Sequence, residues 1–244
     1  MAGDTDYTEP LEDHAKSTSN ITFHDGPPIL IIVMGVAGTG KSTLAEALNK
    51  ELELPFIEGD NLHPQSNIDK MSAGQPLTDS DREPWLALIR TTGEHMIAEQ
   101  ESKVLSQSED DNSISKQLPR KRRRGVLITC SALKKYYRDI LRGNYAPPGV
   151  PQHLEPSQPK SLPTYFVYIK EEESLLRERI AKREGHYMKP QMVDSQLAAL
   201  ESPEGEPGVV VVPLADSTEE QVRKALEQLR KLVGGGFVKL DQVV

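Results

Sequence analysis

The sequence predicts a three-layer α/β/α fold, with helices on both faces of a parallel sheet. Short apolar segments alternate along the chain with segments whose apolar residues recur at helical spacing, a pattern typical of parallel strands joined by right-handed crossovers. The first apolar segment, residues 29–34, is apolar at every position, as expected of a strand buried on both faces. It leads directly into the spacing GxxxxGK[ST], which begins at Gly35 and ends at Ser42.

That spacing predicts a phosphate-binding loop between the first strand and the first helix. Gly35 and Gly40 allow backbone conformations in which successive N–H groups turn inward around a polyphosphate. The helix over residues 43–48 directs its positive N-terminal end at the same anion. Lys41 is expected against the β- and γ-phosphates of ATP or GTP, and the Ser42 hydroxyl against Mg²⁺. The predicted nucleotide contacts are Gly35, Val36, Ala37, Gly38, Thr39, Gly40, Lys41, Ser42 and Thr43.

The remaining strands are predicted from short apolar runs, and the helices from apolar residues at helical spacing. The strands lie at residues 55–57, 126–130, 165–169 and 208–213. The helices lie at residues 66–72, 81–101, 136–141, 175–180, 191–201 and 218–233. Pro84 is expected in the first turn of the 81–101 helix, where its missing N–H is tolerated. Trp85 on the same helix is expected in the core.

The composition predicts one domain with polar additions. A chain of 244 residues can bury one substantial core, which we expect over residues 27–244, after a disordered acidic tail over residues 1–26. No targeting segment or membrane span is apparent, and the single cysteine, Cys130, fits a reducing compartment, so a cytoplasmic protein with a buried cysteine is expected. A net charge of -8 argues against general binding to nucleic acid.

Two segments depart from the alternating pattern. Residues 103–124 are rich in Ser, Gln, Asp and Glu before a basic run, and residues 146–163 are rich in proline. Both are predicted to be inserted surface loops. The basic run Arg120–Arg124 could bind nucleic acid, but no aromatic residues interleave it, so a solvated linker is the favoured interpretation.

Asp60 is the candidate for the group that takes a proton from an acceptor hydroxyl or orients that hydroxyl. It follows the second strand, whose carboxyl end is expected beside the phosphate loop. Phosphoryl transfer needs the acceptor hydroxyl held in line with the γ-phosphate. The alternative is that Asp60 caps the next helical turn. Glu58, two residues earlier, could support Mg²⁺ through water.

Several cationic side chains could neutralise charge or hold an acceptor. Arg179 and Arg183 lie four residues apart just before a glycine-containing break, an arrangement that suits a lid closing over ATP. A solvated charged face is the alternative for this pair. His63 could hydrogen-bond a polyhydroxylated acceptor or pack at a turn. The cations that could hold an anionic acceptor are Arg82, Lys134 and Arg138.

Together, these residues resemble the small phosphate-loop gluconokinases, in order and at compatible spacing over most of residues 29–203. The matching blocks include Gly35–Ser42, Gly59-Asp60-x-Leu62-His63-Pro64, Asp79-x-Asp81-Arg82-x-Pro84-Trp85, Cys130–Lys135, Arg183-x-Gly185-His186, and Gln196 with Leu200-Glu201-x-Pro203. The resemblance implies ATP- and Mg²⁺-dependent phosphorylation of D-gluconate to 6-phosphogluconate for the pentose phosphate route. It also implies a P-loop kinase sheet of order 2-3-1-4-5, a lid beginning near Arg183 with His186 as a substrate contact, and often a homodimer.

Two departures from that family pattern are visible. Glu58 stands where the family usually has aspartate, and Leu197-Ala198 stand where it usually has Phe-Glu. A kinase for another small acid, such as shikimate, is the alternative within the same class. A nucleotide-dependent protein that engages nucleic acid through Arg120–Arg124 is the alternative from a different class, and steeply salt-dependent binding would favour it.

Overall fold

Seven strands and seven α-helices make up the part of the chain that the structure describes, a computed structural model covering residues 21–23, 26–109, 120–147, 162–182 and 190–234. The strands are β1 (Ile21–Phe23), β2 (Ile29–Met34), β3 (Phe56–Ile57), β4 (Arg120–Arg122), β5 (Gly125–Cys130), β6 (Thr164–Lys170) and β7 (Val209–Pro213). The helices are α1 (Lys41–Leu52), α2 (Gln65–Ser72), α3 (Asp79–Glu109), α4 (Lys135–Arg142), α5 (Glu173–Lys182), α6 (Pro190–Ala199) and α7 (Thr218–Val233). A 3-10 turn spans Gly59–Leu62.

Five parallel strands form the central sheet in the order β3-β5-β2-β6-β7. Numbered along the chain among themselves, these strands have the order 2-3-1-4-5, so the fold implied by the resemblance is confirmed. Met34 pairs with Cys130 and Ile57 with Ile128. The segments that follow β2, β3 and β5 therefore emerge at the same edge of the sheet, where ligands of open α/β sheets bind.

The sheet is buried on both faces because its central strand is apolar at every position. Alternate side chains of a strand point to opposite faces, and all six residues of β2 are fully buried. On one face of the sheet, the β2 side chains of Ile29, Ile31 and Val33 pack in a cluster with residues of α1, α5, α6 and α7. On the opposite face, the β2 side chains of Leu30, Ile32 and Met34 pack in a cluster with residues of α3 and α4. The predicted three layers are confirmed.

Cys130 is the last residue of β5. It is buried, as predicted, on the face of the sheet that packs against α3 and α4. Burial raises the pKa of its thiol to about 12, so the thiol is protonated at neutral pH. None of the helices in the described part of the chain is long and apolar enough to cross a membrane.

Helix α3 is longer at both ends than the sequence indicated. It begins at Asp79 because Thr78 and Asp81 cap each other: the Thr78 N–H donates to the Asp81 carboxylate at 2.8 Å, and the Thr78 hydroxyl accepts from the Asp81 N–H at 3.3 Å. Pro84 consequently lies beyond the first turn. The helix continues to Glu109, since no glycine or proline follows Gly93 before Pro119.

Two predicted irregular regions contain regular structure. Strand β1 lies within the predicted tail and pairs in parallel with β4, from Ile21 opposite Arg120 to Phe23 opposite Arg122. Helix α3 and strand β4 also occupy parts of the predicted insertion 103–124. Backbone pairing of this kind needs no apolar pattern, which is why the composition did not indicate it. Most of the predicted insertion 146–163 lies outside the described residues.

Candidate active site

The phosphate loop turns back on itself around the carbonyl oxygen of Val36. The Thr39 hydroxyl donates to this oxygen at 2.8 Å and Lys41 Nζ donates to it at 3.2 Å. Gly38 has a left-handed φ of 84°, and a Cβ there would lie 2.9 Å from the side chain of Ile180 on α5. Glycine is therefore needed where the loop passes beneath that helix.

Lys41 is the cation of this loop and occupies the first position of α1. Burial lowers the pKa of its ammonium group, and the nearby Asp60, Cys130 and Glu58 oppose that shift. One half-buried cation and two carboxylates therefore act on each other at the same edge of the sheet. These are the kinds of charge that phosphoryl transfer uses.

A cavity of about 340 Å³ opens in front of the phosphate loop. Six of the nine predicted nucleotide contacts lie on its wall: Ala37, Gly38, Gly40, Lys41, Ser42 and Thr43. The other three, Gly35, Val36 and Thr39, are buried behind them. The wall also includes Glu58, Asp60, His63, Met71, Pro76, Leu77, Arg82, Trp85, Ser131, Ile180, Val193, Ser195 and Gln196. The loop and three of the predicted acceptor-binding groups, Asp60, His63 and Arg82, thus face one space.

Thr129, near the end of β5, fixes the backbone between the two carboxylates. Its hydroxyl accepts from the Gly59 N–H at 3.0 Å and donates to the Glu58 carboxylate. The Gly59 carbonyl oxygen in turn accepts from the indole N–H of Trp85 at 2.8 Å. Asp60, the next residue, is exposed on the cavity wall. Its position is therefore set by hydrogen bonds to the sheet and to α3.

Replacement of Gly59 by alanine is expected to lower the free energy of unfolding by about 1–3 kcal/mol, the range found for overpacked sites. A Cβ at Gly59 would lie 1.9 Å from the backbone oxygen of Thr129, which cannot rotate away. The control is Gly93→Ala in α3, whose Cβ would meet side-chain methyl groups at 3.3–3.7 Å and which gains helix propensity. Urea unfolding of both variants measures the difference, and equal losses would contradict this account.

His63 is a neutral hydrogen-bond donor at the cavity wall. The amide nitrogen of Asn67 donates to the backbone oxygen of Asp81 at 2.8 Å and lies 3.2 Å from His63 Nδ1. Because that nitrogen is a donor, Nδ1 accepts and the imidazole hydrogen is on Nε2. Burial lowers the pKa of His63 to about 4; Asp60 opposes the shift and Arg82 adds to it.

Trp85 was predicted to be a core residue, and it is buried, but it also forms part of the cavity wall. Its ring stacks on His63 with centroids 4.0 Å apart and planes inclined at 17°. Since its N–H also bonds to Gly59, Trp85 supports the segments carrying His63 and Asp60. Helical spacing shows which face of a helix is buried but does not show whether that face borders a cavity. The signal in the sequence that could have indicated a role of Trp85 at the site was the family block that ends at this residue.

Comparison with known proteins identifies the family. A family model described as an AAA domain matches residues 30–203. A gluconokinase of Gluconobacter oxydans is 39% identical over 202 residues, which cover 83% of this chain and 89% of the relative. The chain belongs to the gluconokinase family. The thermoresistant gluconokinase of Escherichia coli is 34% identical over 217 residues, and this alignment covers 88% of this chain and 98% of the relative.

A solved structure supports the same assignment to the gluconokinase family. The crystal structure of a gluconokinase from Sinorhizobium meliloti matches with a TM-score of 0.62 at 39% identity, covering 85% of this chain and 95% of that chain. The family resemblance read from the sequence is thereby confirmed. A phosphate-loop kinase of this family uses ATP.

Two cations predicted to hold the acceptor of this gluconokinase-family chain differ in their placement. Arg82 lies on the cavity wall, where its guanidinium donates to the backbone oxygen of Leu77. Lys134 Nζ lies 2.8 and 2.7 Å from the two carboxylate oxygens of Asp79, and the Tyr137 hydroxyl donates to the same carboxylate. Lys134 is not on the cavity wall, so its established contact is the ion pair with Asp79.

Arg138, the third of these predicted cations, is fully buried and lies away from the cavity wall. Its guanidinium lies 2.5 Å from the Glu206 carboxylate and donates to the backbone oxygens of Ala132 and Leu133 at 2.9 and 3.0 Å. Burial alone would raise the pKa of Glu206, but Arg138 and Arg142 hold it below its ordinary value. Arg138 therefore braces the loop after β5 and does not line the cavity.

Of the residues predicted for the lid and its substrate contact, the structure describes Arg179. Arg179 lies exposed on α5, where its guanidinium donates to the backbone oxygen of Leu214 at 2.9 Å, and it is not on the cavity wall. Arg183 and His186 lie outside the described residues. The helices on either side of that segment do reach the cavity, through Ile180 of α5 and Gln196 of α6.

Ser42 and Glu58, the residues predicted for Mg²⁺, both lie on the cavity wall and offer oxygen atoms, the ligand type that Mg²⁺ prefers. Within the described ranges, no three His, Cys, Asp or Glu side chains gather into a metal-binding group. The donor set fits an ion that the protein would share with the phosphates of a nucleotide.

Proposed function

We propose that the protein is a gluconokinase that transfers the γ-phosphoryl group of ATP to the 6-hydroxyl of D-gluconate. The observation that carries the proposal is the placement of Lys41 and Asp60 on the wall of one cavity, in a chain of the gluconokinase family. A cation beside the transferred group and a carboxylate for the acceptor hydroxyl are the two groups that this reaction needs from the protein.

In the proposed reaction, the 6-hydroxyl oxygen attacks the γ-phosphorus while the bond from that phosphorus to the bridging oxygen of ADP breaks. Asp60 takes the hydroxyl proton. Lys41 and the N–H groups at the start of α1 bind the phosphate oxygens and stabilise their charge as it shifts toward ADP. The products are ADP and 6-phospho-D-gluconate, which would feed the pentose phosphate pathway.

His63 and Arg82 are proposed to bind the acceptor. A polyhydroxylated acid offers hydroxyl oxygens and one carboxylate. Neutral His63 can donate from Nε2 to a hydroxyl, and the Arg82 guanidinium can pair with the carboxylate. Stacking on Trp85 holds the imidazole in place. Lys134 is a weaker candidate, since Asp79 already neutralises it.

Ser42 and Glu58 are proposed to act toward Mg²⁺, with Glu58 acting through water. The bond from the Thr129 hydroxyl keeps the Glu58 carboxylate at the cavity wall. When bound, the ion would neutralise charge on the β- and γ-phosphates. Arg179 and Arg183 stay proposed lid residues that bring positive charge to the transferred group, and His186 stays a proposed substrate contact. Homodimer assembly and a cytoplasmic location stay predictions.

The direct test is release of ADP by the purified protein with Mg·ATP, compared for D-gluconate, shikimate, glucose, AMP and no acceptor. We expect release that depends on D-gluconate, with 6-phosphogluconate as the product. ATP binding without acceptor-dependent release would contradict the proposal, and release with shikimate alone would identify the kinase of another acid.

The nucleic-acid alternative depends on the basic run before β5, two of whose members are tied into the fold. Arg123 Nε donates to the backbone oxygen of Pro27 at 3.1 Å, and Arg124 pairs with the Glu101 carboxylate at 3.1 Å. The Glu101 carboxylate neutralises the charge of Arg124, and Arg123 is buried, so both are less accessible to a phosphate backbone. Salt-dependent binding of DNA or RNA that is lost when Arg120–Arg122 are neutralised would favour the alternative.

A further inference from the structure

Helix α6 contacts the phosphate loop through one side chain. Gln196 Oε1 accepts a hydrogen bond from the backbone N–H of Ala37 at 2.8 Å, across 159 residues of sequence. Both residues lie on the cavity wall. Ala37 is 5% exposed, so loss of the glutamine oxygen would leave a buried backbone donor without its partner, which is costly.

The same peptide group anchors Lys41 on its other side. The N–H of Ala37 and the C=O of Val36 belong to one trans peptide, so they lie in one plane and point in opposite directions. The Val36 oxygen accepts from Lys41 Nζ at 3.2 Å and from the Thr39 hydroxyl at 2.8 Å. Rotation of this peptide would therefore disturb the contact to Gln196 and the anchor of Lys41 together.

We propose that Gln196 is a positioning residue for Lys41, acting through the Val36–Ala37 peptide. This inference rests on the proposed use of ATP by the same site. Gln196 holds the peptide so that its carbonyl faces the Lys41 ammonium, which prepares the loop for the polyphosphate before ATP arrives. The affinity for ATP then depends on α6 being docked against the loop. A helix that merely covered the cavity would need no hydrogen-bond acceptor at position 196.

The first test compares two glutamine variants in equilibrium binding of Mg²⁺ and the non-hydrolysable analogue AMP-PNP, measured by calorimetry. Gln196→Leu keeps the approximate side-chain size but removes the acceptor, and we expect the Kd to rise about tenfold, as expected for one hydrogen bond. The control is Gln228→Leu, because Gln228 of α7 also bonds a backbone group, the N–H and C=O of Val211 at 3.4 and 3.1 Å, away from the cavity wall. Its Kd should stay within twofold of the wild type.

A double-mutant cycle then separates action through Lys41 from a general effect of the helix. In a Lys41→Met background, Gln196→Leu should change the Kd by less than twofold, because the group that it positions is gone. Amide hydrogen exchange at Ala37 should be faster in Gln196→Leu than in the wild type. An unchanged Kd for Gln196→Leu, or a tenfold effect that persists without Lys41, would overturn the proposal.

Steady-state kinetics gives an independent readout with D-gluconate as acceptor. Gln196→Leu should raise the KM for ATP about tenfold while the KM for D-gluconate stays within twofold, and a parallel rise of both would count against a role through Lys41. Absence of gluconate-dependent turnover in the wild type would instead defeat the proposed function, whereas analogue binding would still decide the role of Gln196.

Discussion

Lys41→Met is expected to lower kcat for gluconate phosphorylation by about 10³-fold or more, the range seen when a charge that stabilises a transition state is removed. Methionine fills similar space but carries no charge, so the γ-phosphoryl group would transfer without the cation that the loop holds beside Val36. The measurement is ADP release at saturating ATP and D-gluconate.

Lys50→Met is the matched control for this experiment. Lys50 lies in the last turn of the same helix, α1, and is exposed. Its loss removes a favourable interaction with the helix dipole of at most about 1 kcal/mol and should leave kcat unchanged. A Lys41→Met enzyme with kcat within tenfold of the wild type would remove Lys41 from the proposed mechanism.

Asp60→Asn is expected to lower kcat by about 10²- to 10⁴-fold, the contribution of a positioned general base. The amide keeps the size of the carboxylate but cannot take the proton of the 6-hydroxyl. Asp60 also raises the pKa of Lys41 and of His63, so its loss would lower both. Because the pKa of His63 is already about 4, this imidazole stays neutral at pH 7 in the variant, and the loss of rate is not explained by its charge.

The control for Asp60 is Asp69→Asn on α2, where an exposed carboxylate accepts from the Gln65 side chain at 2.8 Å. That variant should keep kcat within twofold of the wild type. AMP-PNP should bind the Asp60→Asn protein with a Kd within about threefold of the wild type, since the proposed role concerns the acceptor. Near-normal turnover by Asp60→Asn would show that another group handles the proton.

The sequence predicted the central sheet closely because each strand and helix is encoded locally. Six apolar residues before Gly35 are enough to indicate a strand buried on both faces, and the final helix was predicted at residues 218–233, the bounds it has. The sheet order followed from the family resemblance and is confirmed. Less predictable were β1 and β4, whose pairing joins segments about a hundred residues apart without an apolar signal.

The sequence by itself determined the phosphate loop, its catalytic lysine candidate and the carboxylate turn after β3. These features are short, and their residue types follow from local backbone conformation and from the chemistry of phosphate. Asp60 could be predicted as a site residue because it follows the end of a strand beside the phosphate loop. Ligands of open α/β sheets bind at the carboxyl ends of such strands.

Only the tertiary structure decided which charged and polar side chains serve the cavity and which serve the fold. Arg138 and Arg82 looked equivalent in the sequence, yet Glu206, 68 residues from Arg138, holds that arginine in the interior. The contacts of Trp85 with His63 and of Gln196 with Ala37 also join distant segments. Such pairs form because the strands and helices bring them together, and spacing along one element carries no information about the partner that another element supplies.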